Sequence, residues 1–487
     1  MTATSPQPAS PPAAPEPALS VASESTPEAL PLSRAWRVLL GAVVLLPFVI
    51  AVAQLGRIHP DEVYQMLEPA WHRVHGYGIQ AWEWREGLRN WAVVFVFSGL
   101  LRVADVLGLT HPQANRALLA LPQLALHGWM LLAVYRLGAR RGGQTSGLLT
   151  LLLVGLYGPV LVFAGRTMSE SFSAAFLVVA MEALDRKEHM ARAGLLAGLA
   201  LGLSVVARYG SAVFVLAALV WLVLARQWRL LAFTCLGGLG VALGLGALDW
   251  GTWGAPFHSL FAYLRFNVLS DEAVRNFGES PPTFYVPVFL ASIPFWAWLA
   301  APLGLGALRR RSISLPLFCA LVYVAAVSAT PHKEERFLYP ALVLMVLAAA
   351  PAVASWLVTQ ARQATQLRWG AATLALATTV ASASVYPPQD LRGDQFRAIV
   401  AATRDPQATG LLIVNEGLWG AGGYFYVGKN IPWATCDWPY DYAFQRAMQD
   451  PAFNRAVTFE GRALRELQAA GFRVMGEVGR ETILARP

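Results

Sequence analysis

Repeated apolar runs constrain this chain more than any other feature of its sequence. Windows of about 19 residues reveal successive stretches of about 16 to 25 mostly apolar residues, the length that an α-helix needs to cross the hydrocarbon core of a bilayer. Hydrophobic residues make up 56% of the chain and charged residues only 14%, against roughly 25% charged in an ordinary soluble domain. The sequence therefore predicts a polytopic α-helical membrane protein. It excludes a cytosolic enzyme, a nucleic-acid reader and a disulfide-stapled secreted domain.

The apolar runs predict roughly eleven transmembrane helices. The first begins beside Arg34 and Arg37. The other ten lie near residues 115–135, 147–164, 170–184, 193–207, 211–225, 230–248, 284–306, 313–329, 337–358 and 369–386. Residues 88–107 form one more apolar segment, which is either a helix lying in the membrane interface or a further full span.

Loop charges favour the interfacial interpretation of residues 88–107. The basic clusters between later spans then all lie on the side of Arg34 and Arg37, as the positive-inside rule requires. These clusters are Arg136/Arg140/Arg141, Arg186/Lys187/Arg192, Arg226/Arg229, Arg309/Arg310/Arg311 and Arg362/Arg368. We therefore predict a cytosolic N-terminus and a shared non-cytosolic face. The segments expected on that face are 59–86, 166–170, 208–211, 249–282, 331–336 and everything after residue 386.

The two ends of the chain differ in composition from its apolar middle. Residues 1–32 are rich in Pro, Ala and Ser and lack Lys and Arg, so they predict a disordered cytosolic tail. Residues 33–386 form the predicted membrane domain, with an external catalytic loop at 57–112. Residues 387–487 predict a small external α/β domain, with helical patterns at 395–403 and 462–470 and a strand-like run at 411–414. A Gly-rich loop holding Gly420, Gly422 and Gly423 is a weak hint of phosphate binding, and a plain turn is favoured.

The most informative motif is His59-Pro60-Asp61-Glu62, directly after the first span. Pro60 suits the first position of a helix. The polar residues that would share one face of that helix are Asp61, Gln65, Glu68 and His72. Two adjacent acids at the mouth of a span suggest acid–base chemistry, while an amphipathic helix with its charges in water is the alternative. The aromatic run Trp82-Glu83-Trp84 follows in the same loop.

Two further constellations lie at span mouths on the same face. His332-Lys333-Glu334-Glu335-Arg336 precedes a span, and its basic residues can clamp a phosphate or act as snorkelling anchors. External loops usually avoid Lys and Arg, which favours the phosphate clamp. The stretch from Asp249 to Asn267 mixes Trp, Tyr and polar residues, as in sugar-stacking surfaces and in interfacial belts alike. For Arg166 and Arg208, each alone at a span end, a snorkelling anchor is favoured.

These motifs, in this order, resemble the family 22 glycosyltransferases. Those are GT-C fold mannosyltransferases that use dolichyl-phosphate-mannose to build N-glycan and GPI precursors. The similarity covers residues 35–386 and is most specific at His59–Glu62 and at Pro331–Phe337. Where the family usually has Asn, this chain has Glu170. The Ala-, Leu-, Gly- and Arg-rich composition indicates a bacterial member, in the inner membrane, with a bacterial polyprenol as donor lipid.

The resemblance implies inverting transfer of a sugar, mannose by family default, from a polyprenyl-phosphate donor to a hydroxyl of a glycan or glycolipid on the non-cytosolic face. Asp61 is the candidate base, and Glu62 is the alternative base or orients the acceptor. The candidates for holding the donor phosphate are His332, Lys333, Arg336 and Arg208. The candidates for substrate binding are His59, Gln65, Glu68, Trp82, Glu83, Trp84, Asp249 and Asn267.

Alternatives remain for cofactor and function. A divalent metal at His59, Asp61, Glu62 and His332 is conceivable, but no cofactor is expected because the basic cluster can stabilise phosphate charge. A lipid-linked sugar transporter or flippase would show charged or broken helices near mid-membrane and matching halves. A GT-C enzyme that uses a different polyprenyl-phosphate sugar is the other alternative.

Overall fold

The computed structural model describes residues 34–186, 188–270, 272–298, 300, 314–361, 363–385, 390–414, 417 and 420–487. The predicted tail at 1–32 and the basic cluster Arg309/Arg310/Arg311 lie outside these residues. The α-helices before residue 200 begin with α1 (Arg34–Ala53), α2 (Glu68–His75), α3 (Trp82–Arg85), α4 (Ala92–Val106), α5 (Pro112–Gly155), α6 (Gly158–Phe163), α7 (Ser169–Leu184) and α8 (Met190–Ala207). The following helices are α9 (Ala212–Leu224), α10 (Trp228–Trp253), α11 (His258–Leu264), α12 (Glu272–Phe277), α13 (Tyr285–Ser292), α14 (Leu315–Ala329), α15 (Tyr339–Gln360) and α16 (Ala364–Val385).

The helices confirm a polytopic membrane architecture. Five described helical segments are long and apolar enough to cross a membrane: Trp36–Ala53, Pro112–Gly155, Met190–Ala207, Trp228–Trp253 and Glu335–Gln360. Tyr209–Leu224, Pro282–Ser292 and Leu315–Ala329 are shorter apolar helices. The count of roughly eleven spans stays a prediction, as does the interfacial position of α4.

Helix α5 accounts for two of the predicted spans. It is interrupted at Gly142 and Gly143, whose backbone dihedrals are not helical, and φ at Gly143 is 74°. Only glycine adopts that region without strain. The part before the break corresponds to the run at 115–135. The part after it, together with α6, corresponds to the run at 147–164.

Helices α7 and α15 lie at the centre of the membrane domain. Almost every side chain from Ser169 to Leu184 is buried, and α7 packs against α5, α8 and α15. The first turn of α7 therefore carries its polar residues into the protein interior.

Glycines let α8 and α10 approach closely, since a Cβ on Gly237 would meet the carbonyl oxygen of Leu195.

The C-terminal residues form the expected α/β unit. Its helices are α17 (Gly393–Arg404), α18 (Tyr424–Val427), α19 (Tyr442–Gln449) and α20 (Gly461–Ala469). Its strands are β1 (Leu411–Val414), β2 (Trp433–Cys436), β3 (Arg455–Thr458), β4 (Arg473–Val478) and β5 (Glu481–Ala485). The sheet order is β2-β1-β3-β5-β4, with β1 parallel to β2 and β3 and with β5 antiparallel to β3 and β4.

This unit packs on the segment that follows α1. Arg57 and Leu391 exchange backbone hydrogen bonds of 3.0 and 3.1 Å. The Tyr426 hydroxyl donates to the Leu55 carbonyl oxygen at 3.1 Å. The C-terminal unit therefore buttresses the start of the loop that carries His59 to Glu62.

Candidate active site

The helix expected at Pro60 begins there with ordinary hydrogen bonds, but it then widens beyond an α-helix. The amides of Val63 and Tyr64 both donate to the Pro60 carbonyl, at 2.9 and 3.0 Å. Residues Glu62–Leu67 are then π-helical before α2 takes over. A π-helix closes its hydrogen bonds at i→i+5 rather than at i→i+4. In that wider turn, side chains seven positions apart no longer share a face.

The prediction of one polar face is accordingly wrong. Asp61 faces Arg336, Gln65 faces Glu83, and Glu68 turns toward the C-terminal unit. The alternative of charges held in water is also wrong, because Gln65 and Glu68 are only 3% and 0% exposed.

Arg336 lies at the centre of a cluster of buried and half-buried charges. Its Nη1 is 2.8 Å from Asp61 Oδ2 and 3.2 Å from Glu170 Oε1. Its Nε and Nη2 donate to the two carboxylate oxygens of Glu334 at 2.6 and 3.1 Å. The motifs at Asp61 and Arg336 thus meet as the sequence argument expected. We call Asp61, Glu170, Glu334, Arg208 and Arg336 the carboxylate–arginine site.

Glu170 joins the two arginines of this site. It is fully buried at the start of α7, and its Oε1 lies 2.6 Å from Arg208 Nη1 as well as 3.2 Å from Arg336 Nη1. Arg208 also stacks on Phe337, with its guanidinium carbon 4.6 Å from the ring centroid. The snorkelling interpretation of Arg208 is therefore wrong, because the side chain points into a charged interior.

Electrostatics keep Asp61 ionised. Burial alone would raise the pKa of Asp61, but the Arg336 guanidinium and the His59 imidazole hold it well below its usual range. His59 contacts Asp61 and Glu334, each at 3.3 Å. Burial alone would lower the pKa of His59, but these two carboxylates raise it to about 9. His59 therefore adds a third positive charge at neutral pH.

Glu334 also contacts His332, another residue of its motif. Its Oε1 lies 3.1 Å from His332 Nε2. Burial opposes ionisation of Glu334, but hydrogen bonds from His332, His59 and Arg336 hold its pKa far below the usual range. His332 thus approaches the site through Glu334.

Lys333 makes different contacts from those expected of a phosphate clamp. Its side chain is 7% exposed. Nζ donates to the carbonyl oxygens of Ser280, Thr330 and Pro331. An ammonium group has three donors, so these carbonyls use all of them. The contacts favour a role in holding the loop before Glu334.

Glu62 and Arg166 form an internal pair beside the site. Glu62 Oε2 accepts from the Ile58 amide at 2.9 Å and lies 3.7 Å from Arg166 Nη1. Arg166 is 1% exposed and donates to the Gly56 carbonyl at 2.9 Å. The snorkelling interpretation of Arg166 is wrong. Both side chains support the backbone that leads to Asp61.

The aromatic run Trp82-Glu83-Trp84 supplies a second polar contact near Asp61. Glu83 Oε1 accepts from Gln65 Nε2 at 2.9 Å and from Arg89 Nη2 at 2.8 Å. The Arg89 charge also helps to lower the pKa of Asp61. Two predicted substrate-binding residues, Gln65 and Glu83, therefore contact each other.

Four other predicted substrate-binding residues have local partners. Trp82 packs on Phe266, with ring centroids 4.8 Å apart. Trp84 is 3% exposed and packs on Trp91 at 4.6 Å. Asn267 donates to the Tyr263 carbonyl. Asp249 is fully buried and accepts from the amide and hydroxyl of Ser259, so it braces α11 rather than joining the carboxylate–arginine site.

Glu68 connects the loop at 57–112 to the Gly-rich loop. Its Oε1 accepts from the Phe425 amide at 2.6 Å, and its Oε2 from the Ile79 amide at 2.7 Å. A Cβ on Gly423, where φ is 72°, would collide with the Glu68 carboxyl. The Glu68 carboxylate therefore occupies the space beside Gly423 and binds the amide that follows the loop, which favours the turn interpretation over a phosphate site.

Sequence reasoning missed Glu170 and Glu334 as members of the site, and it missed Arg89 as a charge near Asp61. In the sequence, Glu170 was visible only as a departure from the family pattern. Among the described residues, no group of three or more His, Cys, Asp or Glu side chains is arranged to hold a metal ion. The site combines three carboxylates, among them the ionised Asp61, with two arginines, which suits proton transfer beside a phosphate.

Comparison with known proteins identifies the family. The model of the Alg9-like mannosyltransferase family matches residues 39–404. This chain belongs to that family. GPI mannosyltransferase 3 of Yarrowia lipolytica is 30% identical over 301 residues, covering 60% of this chain and 58% of that protein. GPI mannosyltransferase 3 of Trypanosoma brucei brucei is 31% identical over 351 residues, covering 61% of each.

These alignments and one solved structure define what the Alg9-like chain shares with its relatives. It spans less than two thirds of the length of those two proteins. Both come from eukaryotes, so they give no support to the expected bacterial origin or bacterial inner membrane. ArnT from Cupriavidus metallidurans, crystallised with undecaprenyl phosphate, matches with a TM-score of 0.63 at 14% identity, covering 93% of this chain and 98% of that one. That likeness shows the GT-C fold expected from the sequence.

Proposed function

We propose that this chain is a membrane mannosyltransferase. It transfers mannose from a polyprenyl-phosphate-linked donor to a hydroxyl of a glycan or glycolipid on the non-cytosolic face, with inversion at the anomeric carbon. Membership of the Alg9-like family supports the sugar and the reaction class. The 2.8 Å contact of Asp61 with Arg336 carries the proposal, because it joins a candidate base to a candidate phosphate ligand.

Asp61 acts as general base in this reaction. The acceptor oxygen attacks the anomeric carbon and forms the new glycosidic bond, while its proton passes to an Asp61 oxygen. The bond between the anomeric carbon and the donor phosphate breaks on the opposite face, and its electron pair stays on the phosphate oxygen. The products are the mannosylated acceptor and polyprenyl phosphate.

Arg336 and Arg208 stabilise the charge on the leaving phosphate. Each is paired with carboxylates: Arg336 with Asp61, Glu170 and Glu334, and Arg208 with Glu170. A donor phosphate that takes Asp61's place on Arg336 removes the positive neighbour that holds the pKa of Asp61 down. Burial then raises that pKa, so donor binding turns a weak base into a stronger one.

Released lipid phosphate tests the proposal. Purified chain is mixed with radiolabelled polyprenyl-phosphate-mannose and a glycolipid acceptor in detergent, and both products are measured. Equal amounts of mannosylated acceptor and free polyprenyl phosphate are expected. A flippase would move the donor across a vesicle bilayer without releasing lipid phosphate, and that result would reject the proposal.

A further inference from the structure

A cleft lined partly by Trp84 and Arg85 contains none of the residues of the carboxylate–arginine site. Its volume is about 580 Å³. We call it the aromatic cleft. The lining residues are Arg73, Gln80, Trp84, Arg85, Trp91, Phe95, Ala247, Leu248, Gly251, Thr252 and Trp253.

From this cleft we infer that the chain has a separate binding site for the phosphate-bearing ring headgroup of a membrane lipid, the anchor end of the acceptor glycolipid. The identification of that lipid as the acceptor rests on the proposed function. The existence of the binding site rests on the cleft itself.

The charges of the aromatic cleft favour an anion. Arg73 and Arg85 line it, and no acidic residue does. Arg73 stacks on Phe95, with its guanidinium carbon 4.2 Å from the ring centroid. Stacking uses the face of a guanidinium and leaves its N–H edges available for a phosphate. Among the described residues, neither arginine side chain has a carboxylate within ion-pair distance. An anionic ligand therefore meets two uncompensated cations.

The walls of the cleft favour a ring with apolar faces and polar edges. Trp84, Trp91 and Trp253 present three indoles, the surfaces on which sugars and cyclitols stack their C–H faces. Trp84 is 3% exposed, and its indole Nε1 has no hydrogen-bond acceptor among the described side chains and backbone. A buried indole N–H normally has a partner, and a ring hydroxyl bound in the cleft can be that acceptor.

The position of the cleft favours a lipid over a free metabolite. Its floor comes from α10 at Ala247 and Leu248 and from α4 at Phe95. Large apolar side chains on these helices nearby are exposed, with Val96 at 51%, Leu243 at 62% and Trp250 at 67%. A headgroup in the cleft can thus keep its acyl chains against an apolar protein surface.

One wall is shared with the catalytic loop. Trp253 Nε1 donates to the Arg89 carbonyl at 3.1 Å, while the Arg89 side chain binds Glu83. Adjacent residues of α3 have different surroundings: Glu83 contacts Gln65, and Trp84 lines the cleft. The cleft is therefore linked through α3 to Gln65, which follows Asp61 in the same helical segment, and this suits an acceptor whose glycan reaches round to the base.

Direct binding to the purified full chain tests this inference without any enzymatic activity. The probe is dioctanoyl phosphatidylinositol, titrated calorimetrically in detergent. Dioctanoyl phosphatidylcholine and inorganic phosphate serve as comparison ligands. We expect saturable binding of the inositol lipid, at least tenfold weaker binding in the double variant Arg73→Gln/Arg85→Gln, and unchanged binding in Arg102→Gln, an exposed arginine on α4 outside the cleft. Trp84→Phe, which keeps an aromatic ring and removes the N–H, should also bind less tightly.

Several outcomes would overturn the inference. If phosphatidylcholine bound equally well, the cleft would not select an anionic ring headgroup. If inorganic phosphate bound equally well, the ligand would be a free anion rather than a lipid. Binding that is insensitive to the double variant would place the lipid elsewhere. In an active preparation, the double variant should raise the KM for the acceptor and leave the KM for the donor unchanged. If the inositol lipid binds but no transfer occurs, the proposed function fails while the site stands.

Discussion

The Asp61 carboxylate pairs with the Arg336 guanidinium at 2.8 Å, which joins the first and last motifs of the membrane domain in one ion pair. The two residues come from loops at opposite ends of that domain, one after α1 and one before α15. The same guanidinium also contacts Glu170 and Glu334. Any group that binds Arg336 must therefore compete with three carboxylates, and this competition underlies the predictions for Glu170 and Arg336.

Asp61→Asn should lower turnover by about 10²–10⁴-fold, the usual contribution of a general base. Asparagine keeps the shape and a hydrogen bond to Arg336 but cannot take the acceptor proton. Glu62→Gln is the matched comparison, because Glu62 binds Ile58 and Arg166 rather than Arg336. It should lower the melting temperature and leave the turnover near that of the wild type. The two kcat values measured side by side decide between them, and near-normal turnover in Asp61→Asn would remove Asp61 from the role of base.

Glu170→Gln should tighten donor binding. It removes the negative charge between Arg208 and Arg336 but leaves an oxygen to accept their hydrogen bonds. Less repulsion of the phosphate should lower the donor KM by about tenfold, a change of about 1.4 kcal/mol. Glu182→Gln, at the other end of α7 and paired with Arg140 and Arg186, should leave the donor KM unchanged. A raised donor KM in Glu170→Gln would mean that the carboxylate mainly holds the arginines in place.

Arg336→Lys should raise the donor KM more than Lys333→Gln does. Lysine at 336 keeps the positive charge but loses the bidentate geometry of arginine. The ammonium of Lys333 already donates its three hydrogen bonds to loop carbonyls, so it has none left for a phosphate. Complete removal of Arg336 would leave buried carboxylates unpaired and cost about 3–5 kcal/mol, so the conservative variant is the informative one. Donor KM and melting temperature measured for both variants separate binding from folding, and equal donor KM values would restore Lys333 as a phosphate ligand.

His59 should make folding stability depend on pH above neutrality. Its pKa is about 9 in the folded chain against an ordinary value of 6.5, so the folded state holds this proton more tightly than the unfolded state. The resulting stabilisation is complete below about pH 6.5 and is lost as the pH rises through about 9. The melting-temperature difference between wild type and His59→Gln should therefore shrink across that window. A constant difference from pH 6 to pH 10 would contradict a protonated His59.

Particular residues show how far the sequence could predict this arrangement. The meeting of His59–Glu62 with His332–Arg336 follows from the apolar spans and the loop charges, which predict the same membrane face for both. The orientation of Glu68 does not follow, because its partner Phe425 lies 357 positions away in a unit outside the family resemblance. The π-helical turn at Glu62–Leu67 could not be predicted from the spacing of polar and apolar residues either, because that spacing assumes the i→i+4 hydrogen bonds of an α-helix. Glu170 lies in a run that hydropathy assigns to the membrane, so only tertiary contact reveals its two arginines.

The C-terminal unit should be accessible from outside the cell or from the organelle lumen, because the positive-inside rule places the basic loops in the cytosol. Cys436 is a poor reporter, since it is buried, so a cysteine is introduced at Met475, which is 64% exposed on β4. With Cys235, Cys319 and Cys436 replaced, Met475→Cys should react with a membrane-impermeant maleimide in intact cells or sealed right-side-out vesicles. Glu188→Cys, in the exposed loop between α7 and α8, is the matched cytosolic position and should react only after permeabilisation. The reverse pattern would invert the topology, and with it the face on which Asp61 and Arg336 meet the donor.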